Sequence, residues 1–487
     1  MTTFPTLSAL ACAVLFAGCS LTGPVARSDL ALPAQWHETA SDGSAALPSP
    51  DWWRGFASPQ LDALIADAFA GSPDLRVQAE RVIQAELTLR STNSSLFPNL
   101  KLSSGSGWSR RFDDINGTTS PTNSENASFG LSASYEIDLW GRVAASIASD
   151  EAGLAASRFD FDSARLSLAA SVATTWFEYL ASFEQLEIAR ENLAIAERVF
   201  KVVEARHRNG SASSLDLSRQ KTTVLNQRAQ IEPLEVQVRQ TRRALEILCG
   251  HPPGAAPLLQ QPAALIATLA IPTIGAGLPS ELLLRRPDIA AAEARLVAAA
   301  ANIGAARAAL FPSISLSGNG GLSGILLFSL ANPAATLSVS ASLAQTVFDG
   351  GKLRAAVDSA RSKERELLET YRKAILTSLK EVEDALSNAV RDAHQEEAQI
   401  QILAEAERSL HLAELRYREG ADDLLSVLTA QTTRFSAQGQ LAKLRQARLT
   451  DAVNLYKALG GGWRAEDSVA VVPVATAPAS AQNADRR

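Results

Sequence analysis

Residues 127–140 read Ala-Ser-Phe-Gly-Leu-Ser-Ala-Ser-Tyr-Glu-Ile-Asp-Leu-Trp, so apolar side chains alternate with small or polar ones. A period of two places alternate side chains on opposite faces of a β-strand. The apolar set comprises Phe129, Leu131, Ala133, Tyr135, Ile137 and Leu139. One apolar face on a strand of roughly ten residues is typical of a transmembrane β-barrel, but also of a half-buried soluble sheet. The alternation alone leaves both structures open.

The same pattern occurs a second time, because the chain contains an internal repeat. Leu337, Val339, Ala341 and Leu343 alternate with serines, and Leu96-Phe97-Pro98 recurs as Leu310-Phe311-Pro312, about 214 residues later. Nearer the end of each copy the offset is about 210 residues, as between Gly210 and Gly420. Two long copies predict a pseudo-symmetric structure in which both halves do the same work.

Each copy is predicted to contain a pair of strands. Shorter alternations at Leu100 and Leu102, and at Ile314 and Leu316, precede the two main strands. We expect the paired strands to be joined by loops at residues 113–121 and 318–333, which are rich in Gly, Asn, Asp, Pro and Thr.

Long helices are predicted to follow the strands. No proline occurs between Pro121 and Pro233 or between Pro333 and Pro473, and proline disrupts helix interiors. A helix over residues 142–205 would be roughly 95 Å long. Leu186, Ala189, Leu193, Ala196, Phe200 and Val203 form a heptad-like seam. Turns are expected near Gly210 and Gly420, since glycine commonly ends helices.

Four strands are too few to close a barrel, so several chains must contribute to one. Three chains supply twelve strands, and their hairpins would form a helical tube on the same axis. The predicted fold class is therefore an α+β membrane protein. In detail, three chains would form a twelve-stranded β-barrel with four strands per chain, continued by a long α-helical barrel.

Two further stretches identify the family. Residues 51–56 read Asp-Trp-Trp-Arg-Gly-Phe, and residues 278–289 read Leu-Pro-Ser-Glu-Leu-Leu-Leu-Arg-Arg-Pro-Asp-Ile. The chain resembles the TolC family of outer-membrane efflux channels, specifically the NodT-type lipoproteins of resistance–nodulation–division pumps. The resemblance extends over about residues 50–463.

The resemblance implies a trimeric twelve-stranded β-barrel continued by a long α-helical barrel with a mixed equatorial region. It also implies an outer-membrane exit duct in a tripartite efflux system. The expected partners are two further copies of the chain, a periplasmic adaptor protein, an inner-membrane efflux transporter and outer-membrane lipids. The expected location is the bacterial outer membrane, with a lipid anchor and a periplasmic helical extension. One alternative is the outlet channel of a type I secretion system. Another is a periplasmic adaptor protein, which also has long helical hairpins but lacks duplicated strands.

The N-terminus is predicted to direct export. The short apolar stretch from Leu7 to Gly18 is followed directly by Cys19, and an apolar segment that ends in small residues is typical of a cleavable signal peptide. Cysteine directly after Ala-Gly resembles a bacterial lipobox, in which the cysteine is acylated. We therefore expect Cys19 to carry a covalent lipid, while a plain signal peptide remains the alternative.

These patterns, together with the equatorial region that the resemblance implies, predict the following division of the chain: signal peptide 1–18; lipidated N-terminal segment and equatorial region 19–70; first repeat 71–250, with a helix, strand pair 97–140 and helical hairpin 142–250; equatorial linker 251–280; second repeat 281–463, with a helix, strand pair 311–348 and helical hairpin 352–460; disordered tail 464–487.

The hairpin turns carry the candidate functional residues. By resemblance to the family, the expected adaptor contacts are Arg206, Arg208, Gly210, Arg416, Arg418 and Gly420. The resemblance also implies a periplasmic gate of Leu215, Asp216, Asp422, Asp423 and Leu425, with Thr429 at a position that is often acidic. The alternative for the arginines is a solvated helix C-terminus, and for Asp422 and Asp423 it is helix capping.

Composition excludes other classes of protein. The net charge of −6 disfavours nucleic-acid binding, and five scattered His show no metal-ligand spacing. No catalytic motif is present. We therefore expect no enzymatic activity, no metal site and no cofactor apart from the lipid on Cys19.

Overall fold

The computed structural model describes residues 29–38, 47–115, 118–255, 265–325, 330 and 333–467. The predicted signal peptide, Cys19, part of the predicted linker and most of the predicted tail lie outside these residues. The α-helices are α1 Pro59–Gly71, α2 Pro73–Asn93, α3 Arg142–Arg208, α4 Ser214–Leu248, α5 Leu282–Arg285, α6 Pro287–Ala308, α7 Lys352–Arg418 and α8 Leu424–Ala458. The strands are β1 Asn99–Ile115, β2 Thr118–Ile137, β3 Ser313–Gly324 and β4 Ala334–Ala344.

The duplication in the sequence is a duplication of structure. In both copies a helix precedes two strands, which are followed by two long helices. Helices α3 and α7 each have 67 residues, and helices α4 and α8 each have 35. The two hairpins therefore match in length although most of their side chains differ.

The chain divides into two compact units. The first comprises Met1–Asp29, Arg81–Ser157 and Ala291–Arg372, and it contains all four strands. The second comprises Leu30–Glu80, Arg158–Ala290 and Lys373–Arg487, and it contains both hairpin turns.

The strands of the first unit form one antiparallel sheet in the order β1-β2-β3-β4. Its register brings apolar positions of neighbouring strands into common rows, such as Leu102, Leu131, Gly320 and Leu337. Leu337 is 86% exposed and Leu102 63%. The period of two in the sequence thus produces one continuous apolar face that a single chain leaves uncovered.

The opposite face of the sheet is made mostly of small or polar residues, chiefly serine, with glycine, asparagine and threonine. Ser315 and Ser342 form a hydroxyl–hydroxyl hydrogen bond of 2.7 Å, and Ser317 and Ser340 form one of 2.8 Å. The hydroxyl of Ser132 donates to the carbonyl of Lys101 at 3.3 Å. These small side chains satisfy much of their hydrogen-bonding capacity across the strands.

The predicted loops at residues 113–121 and 318–333 were wrong over much of their length. β1 continues to Ile115 and β2 begins at Thr118, so Pro121 lies within a strand. Among the described residues, residues 118–126 of β2 pair with β1 alone, because β3 pairs with residues 127–137. Proline is tolerated in this part of β2 because the edge that faces away from β1 is free. Gly318–Gly321 belong to β3 because glycine allows close strand contact: a Cβ on Gly321 would lie 3.1 Å from the Phe129 carbonyl.

The heptad-like seam of α3 is a packing surface against α4. Leu186, Ala196 and Val203 of the seam are buried. The amide of Gln220 on α4 donates to the Ala196 carbonyl at 2.8 Å, and Arg228 pairs with Glu197 on α3 at 2.8 Å. Helix α4 continues through Pro233, so a single proline did not end the helix.

The core of the second unit begins with the 3₁₀-helix Trp52–Phe56. Trp52 stacks on Tyr456 of α8, with ring centroids 5.1 Å apart, and Phe56 packs against Phe177 of α3 at 5.0 Å. Phe56 and Phe177 are fully buried. This short aromatic segment thereby packs against the middle of α3 in the first repeat and the end of α8 in the second.

A buried arginine makes a second link between elements of this unit. Arg286 binds both carboxylate oxygens of Asp288 at 2.9 and 2.7 Å, and it binds Glu381 of α7 at 2.7 Å. It also donates to the Ala458 carbonyl at the end of α8 at 3.1 Å. A guanidinium with its fixed fork of donors suits such a buried site better than a lysine does, which explains the Arg-Pro-Asp sequence at residues 286–288.

Helix α6 is long and apolar enough to cross a membrane by length and composition alone, although the sequence showed no uninterrupted apolar run of that length. A buried, alanine-rich helix of a soluble region meets the same criterion. Ala291, Leu296 and Ile303 of α6 are buried against protein.

Cys249 is a buried free thiol at the end of α4. Its Sγ donates to the Leu64 carbonyl at 3.7 Å. Burial, with a smaller contribution from the charge of Asp67, raises the pKa of the thiol to about 11. A thiol in this state is chemically inert at neutral pH.

Candidate functional site: the two hairpin tips

The two hairpins turn through the same backbone motif. We call residues 206–216 tip 1 and residues 416–426 tip 2. In tip 1 the Ser211 amide donates to the Arg206 carbonyl at 2.8 Å, and the Gly210 amide donates to the His207 carbonyl at 3.0 Å. Tip 2 has the two equivalent bonds: the Ala421 amide donates to the Arg416 carbonyl at 2.8 Å, and the Gly420 amide donates to the Tyr417 carbonyl at 3.2 Å. This is the Schellman motif, which satisfies the last carbonyls of a helix.

Glycine is required at both turns by backbone conformation. Gly210 has φ 75° and Gly420 has φ 73°, in the left-handed region that side chains with a Cβ disfavour. A Cβ built on either residue would meet no heavy atom within 4 Å. No other residue of the chain covers the side of either glycine where a Cβ would lie, so a partner has room to approach their backbone.

The next helix of tip 1 begins with a capping box. The Ser213 hydroxyl accepts from the Asp216 amide, and the Asp216 carboxylate accepts from the Ser213 amide, both at 3.1 Å. The Ser213 hydroxyl also donates to that carboxylate at 2.7 Å. Hydrogen bonds from Ser213, chiefly from its hydroxyl, lower the pKa of Asp216.

Tip 2 uses the same pair of residue types in reversed order. Asp423 is the N-cap, and its carboxylate accepts from the Ser426 amide and hydroxyl, each at 3.0 Å. Asp422 accepts from the Asp423 amide and the Ser426 hydroxyl, each at 2.9 Å. These bonds, with Arg416 at 3.3 Å, lower the pKa of Asp422. The alternative role of helix capping therefore holds for Asp423, and Asp216 belongs to a capping box of its own.

Arg206 joins the two tips. Its guanidinium donates to the carbonyls of Tyr417 and Arg418 at 3.3 and 3.1 Å, at the C-terminal end of α7. It also lies 4.4 Å from the centroid of the Tyr417 ring. A cation in this position is favoured by the helix dipole and by the aromatic ring. Arg206 is thus engaged within the chain, whereas the side chains of Arg208 and Arg418 are exposed.

The two candidate gate leucines occupy equivalent positions in the first turns of α4 and α8. Leu215 is 57% exposed and Leu425 is 50% exposed. Their neighbours Leu424 and Val427 are buried, and Val427 packs with Leu410 of α7. Other apolar side chains fill the hairpin interior. Leu215 and Leu425 are therefore exposed on the outside of the hairpins, where they can face a pore or a neighbouring copy of the chain. The Thr429 hydroxyl donates to the Leu425 carbonyl at 2.9 Å.

Comparison with known proteins identifies the family. Residues 64–251 and 278–461 match the family described as outer membrane efflux protein. The chain is 40% identical to the pyoverdine export outer membrane protein OpmQ of Pseudomonas aeruginosa, over 94% of this chain and 97% of that protein. It is 34% identical to the toluene efflux pump outer membrane protein TtgC of Pseudomonas putida, over 94% and 95%.

The chain belongs to the outer membrane efflux protein family. Its structure resembles that of the outer-membrane channel OprN with a TM-score of 0.81 and 28% identity, over 91% of this chain and 99% of that one. Such neighbours confirm the fold class predicted from the sequence, including the trimeric barrel with four strands from each chain.

This efflux protein is therefore an outer-membrane exit duct with a periplasmic helical extension, as predicted. Its relatives are named as outer membrane proteins of export systems and efflux pumps. Family membership excludes the alternative that the chain is a periplasmic adaptor protein.

The structure also reveals a group of charged residues that the sequence analysis missed. Asp392 of α7 and Asp451 of α8 are both more than nine-tenths buried, and their carboxyl groups share a hydrogen bond. Asp392 also binds Arg391 at 2.6 Å. One turn further along α7, Glu396 binds Arg445 at 3.1 Å and also contacts Arg448.

The two carboxyl groups of this efflux protein are held in different protonation states. Burial, followed by the hydrogen bond to Asp392 and its charge, raises the pKa of Asp451 to about 7. The hydrogen bond from Arg391 lowers the pKa of Asp392. Below about pH 7 the pair therefore holds one proton between α7 and α8, because two adjacent buried carboxylates repel each other.

The pair makes stability depend on pH. In the unfolded chain Asp451 ionises near pH 4, so between about pH 4 and 7 the folded state binds more protons and its stability falls as pH rises. We expect Asp451→Asn, which resembles the protonated acid, to reduce this fall. Thermal unfolding of detergent-solubilised protein at pH 5 and pH 8 measures the effect. Asp358→Asn is the control, since that carboxylate lies on α7, the helix that carries Asp392, and is exposed. Equal pH dependence in parent and Asp451→Asn would contradict the assignment.

Proposed function

We propose that the hairpin tips of this outer-membrane duct form both its periplasmic gate and its docking site for a periplasmic adaptor protein, which links it to an inner-membrane efflux transporter. The observation that carries the proposal is the pair of exposed leucines, Leu215 and Leu425, at equivalent positions directly after the two turns. An outlet for type I secretion would use the same tips. Relatives named for efflux favour the pump.

Threefold symmetry gives the leucines their function. In a trimer each residue recurs three times around the axis, so Leu215 and Leu425 supply six apolar side chains near the tips. A ring of apolar side chains at a constriction gates by excluding water. The open state then requires the tips to separate.

The neighbouring carboxylates add a charge bias to this gate. Asp216 and Asp422 have lowered pKa values because they accept several hydrogen bonds, so they stay ionised at neutral pH. Capping therefore does not remove their charge. Together with Asp423 they place nine carboxylates around the axis of the trimer, and such rings favour cations in a narrow pore.

Single-channel recording tests the gate. We expect Leu425→Ser to raise the conductance of the purified trimer in planar bilayers several-fold, because the substitution removes bulk and admits water. Leu87→Ser is the control, since Leu87 is equally exposed but lies on α2. A Leu425→Ser channel that conducts like the parent would place the constriction elsewhere. A stable monomer without conductance would refute the channel itself.

The adaptor contact rests on features of the same tips. Gly210 and Gly420 leave open space beside the backbone, and Arg208 and Arg418 present exposed guanidinium groups next to it. Arg206 and Arg416 have partners within the chain, so we assign them to shaping the tips. Contact through the exposed pair would combine backbone packing with charge-assisted hydrogen bonds.

Binding of the adaptor encoded beside this chain tests that assignment. We expect the double variant Arg208→Ala/Arg418→Ala to bind the purified adaptor at least several-fold more weakly in surface plasmon resonance. The control is Arg228→Ala, which removes an exposed arginine from α4 away from the tips. Unchanged affinity of the double variant would remove the arginines from the interface.

We also propose that Cys19 carries the covalent lipid that anchors the mature N-terminus, and that the protein needs no other cofactor and catalyses no reaction. The support is the apolar segment that ends in Ala17-Gly18-Cys19. An acyl chain at this site adds membrane affinity to that of the barrel.

Metabolic labelling with a clickable fatty acid tests the anchor. We expect Cys19→Ser to abolish incorporation while trimers persist, because the barrel itself holds the membrane. Cys249→Ser should leave labelling intact, since that thiol is buried and inert. Label that persists in Cys19→Ser would show that the acylated residue is another one.

A further inference from the structure

The polar face of the sheet carries one charge in the rows where all four strands pair. These rows run from Asn99 to Gly105 in β1. Their polar-face side chains are serine, asparagine, glycine, threonine, alanine and Lys101. Lys101 lies in one row with Ser132, Asn319 and Ser338. The neighbouring residues Leu100 and Leu102 belong to the apolar face, which fixes the side of the sheet that Lys101 occupies.

The nearest acid on that face is already neutralised. Glu136 lies in an adjoining row with Ser315 and Ser342. Arg142, at the start of α3, binds both oxygens of Glu136 at 2.9 and 2.7 Å. A bidentate pair of this kind has no net charge and stays closed because both bonds form together. Within the described residues, Lys101 is exposed and has no ion-pair partner.

The remaining groups of the face bind solutes weakly. Serine hydroxyls donate to carbonyls across the strands, as from Ser103 to Gly130 and from Ser128 to Gly105, or bond to each other. Donors that are already used by the protein are not offered to a passing molecule. In the rows where all four strands pair, the face therefore carries no charge except that of Lys101.

Barrel closure turns this single lysine into a ring. In the trimeric barrel the apolar face contacts lipid and the polar face lines the lumen. Three copies of Lys101 then lie at one level of the lumen. We propose that this ring of Lys101 ammonium groups sets the charge preference of the barrel and favours the passage of anionic solutes over cationic ones.

The preference belongs to the barrel and is opposite in sign to that of the carboxylates at the tips. The lumen of a twelve-stranded barrel is wider than a closed gate, so the bias is moderate and acts on passing solutes without trapping them. It decreases with salt, because the Debye length falls from about 10 Å at 0.1 M to about 3 Å at 1 M.

A thiol reporter measures the potential beside Lys101 without any requirement for conduction. Ser132 is directly opposite Lys101, so its Cβ lies about 5 Å away. In Ser132→Cys, a negatively charged methanethiosulfonate should react several-fold faster than a positively charged one at low salt. Cys249 gives no background because it is buried and unreactive. Ser128→Cys, four residues along β2, is the matched control and should show a smaller ratio.

Changing the lysine decides the question. Adding Lys101→Gln to Ser132→Cys should bring the ratio of the two rates towards one, and Lys101→Glu should invert it. Addition of 1 M salt should have an effect similar to that of Lys101→Gln. A ratio that Lys101→Gln leaves unchanged would overturn the proposal. Failure of both reagents to modify Ser132→Cys would also overturn it, because the polar face would then not line an accessible lumen.

Reversal potentials then connect the local potential to transport. In a Leu425→Ser background under a low-salt KCl gradient, Lys101→Gln should lower the chloride-to-potassium permeability ratio at least about twofold. Ser132→Gln adds a similar bulk at the same level without removing charge and should leave the ratio unchanged. An equal ratio in the parent and Lys101→Gln would overturn the proposal. The measurement compares permeability ratios and not absolute conductances, so it tests the effect of Lys101 even if Leu425 is not the gate.

Discussion

The unpaired backbone of β1 and β4 is the constraint on which the rest of the structure depends. Both strands lie at the edges of the sheet, so each has a row of amide and carbonyl groups without partners in its own sheet. In lipid no water is available to satisfy these groups, and an open sheet edge is not tolerated there. The strands of neighbouring copies must therefore pair. Trimerisation, the closed barrel and the threefold rings of side chains all follow from this requirement.

The duplicated chain combines a shared scaffold with local differences. Both hairpins have the same helix lengths and the same Schellman turns. The serine and aspartate that begin α4 nevertheless exchange places at the start of α8. Either order satisfies the first amides of a helix, so selection on helix capping alone tolerates the exchange. The exchange does move the carboxylates along the tip, and this changes where charge lies relative to the leucines.

Most of the fold followed from periodicity and repetition. The alternation at residues 127–140 predicted a two-faced strand, and the recurrence of Gly210 at Gly420 predicted a second hairpin. Strand lengths were harder to predict, since Pro121 and the glycines at 318–321 resemble turn residues. Their strand conformation depends on which edge is free and on the closeness of the partner strand. Both are properties of pairing between distant segments.

The candidate site was only partly predictable for the same reason. The tip glycines and leucines were visible because the repeat marks them twice. The contact of Arg206 with α7 and the shared proton of Asp392 and Asp451 join residues far apart in sequence, and neither has a counterpart motif. A buried carboxyl pair forms only when two packed helices present both side chains to the same interface. The sequence does not show which face of each helix is packed, and an aspartate on a predicted helix is ordinarily solvated.

The equal lengths of the hairpins have an evolutionary consequence. One residue inserted into α3 alone would displace tip 1 by about 1.5 Å and rotate it by about 100° relative to tip 2. That shift would break the bonds from Arg206 to the end of α7. A lineage that lengthens the duct must therefore add matching segments to both legs of both hairpins, in near-integral numbers of turns. Duct length should consequently change in rare, coordinated steps, while the surface residues of the same helices diverge freely.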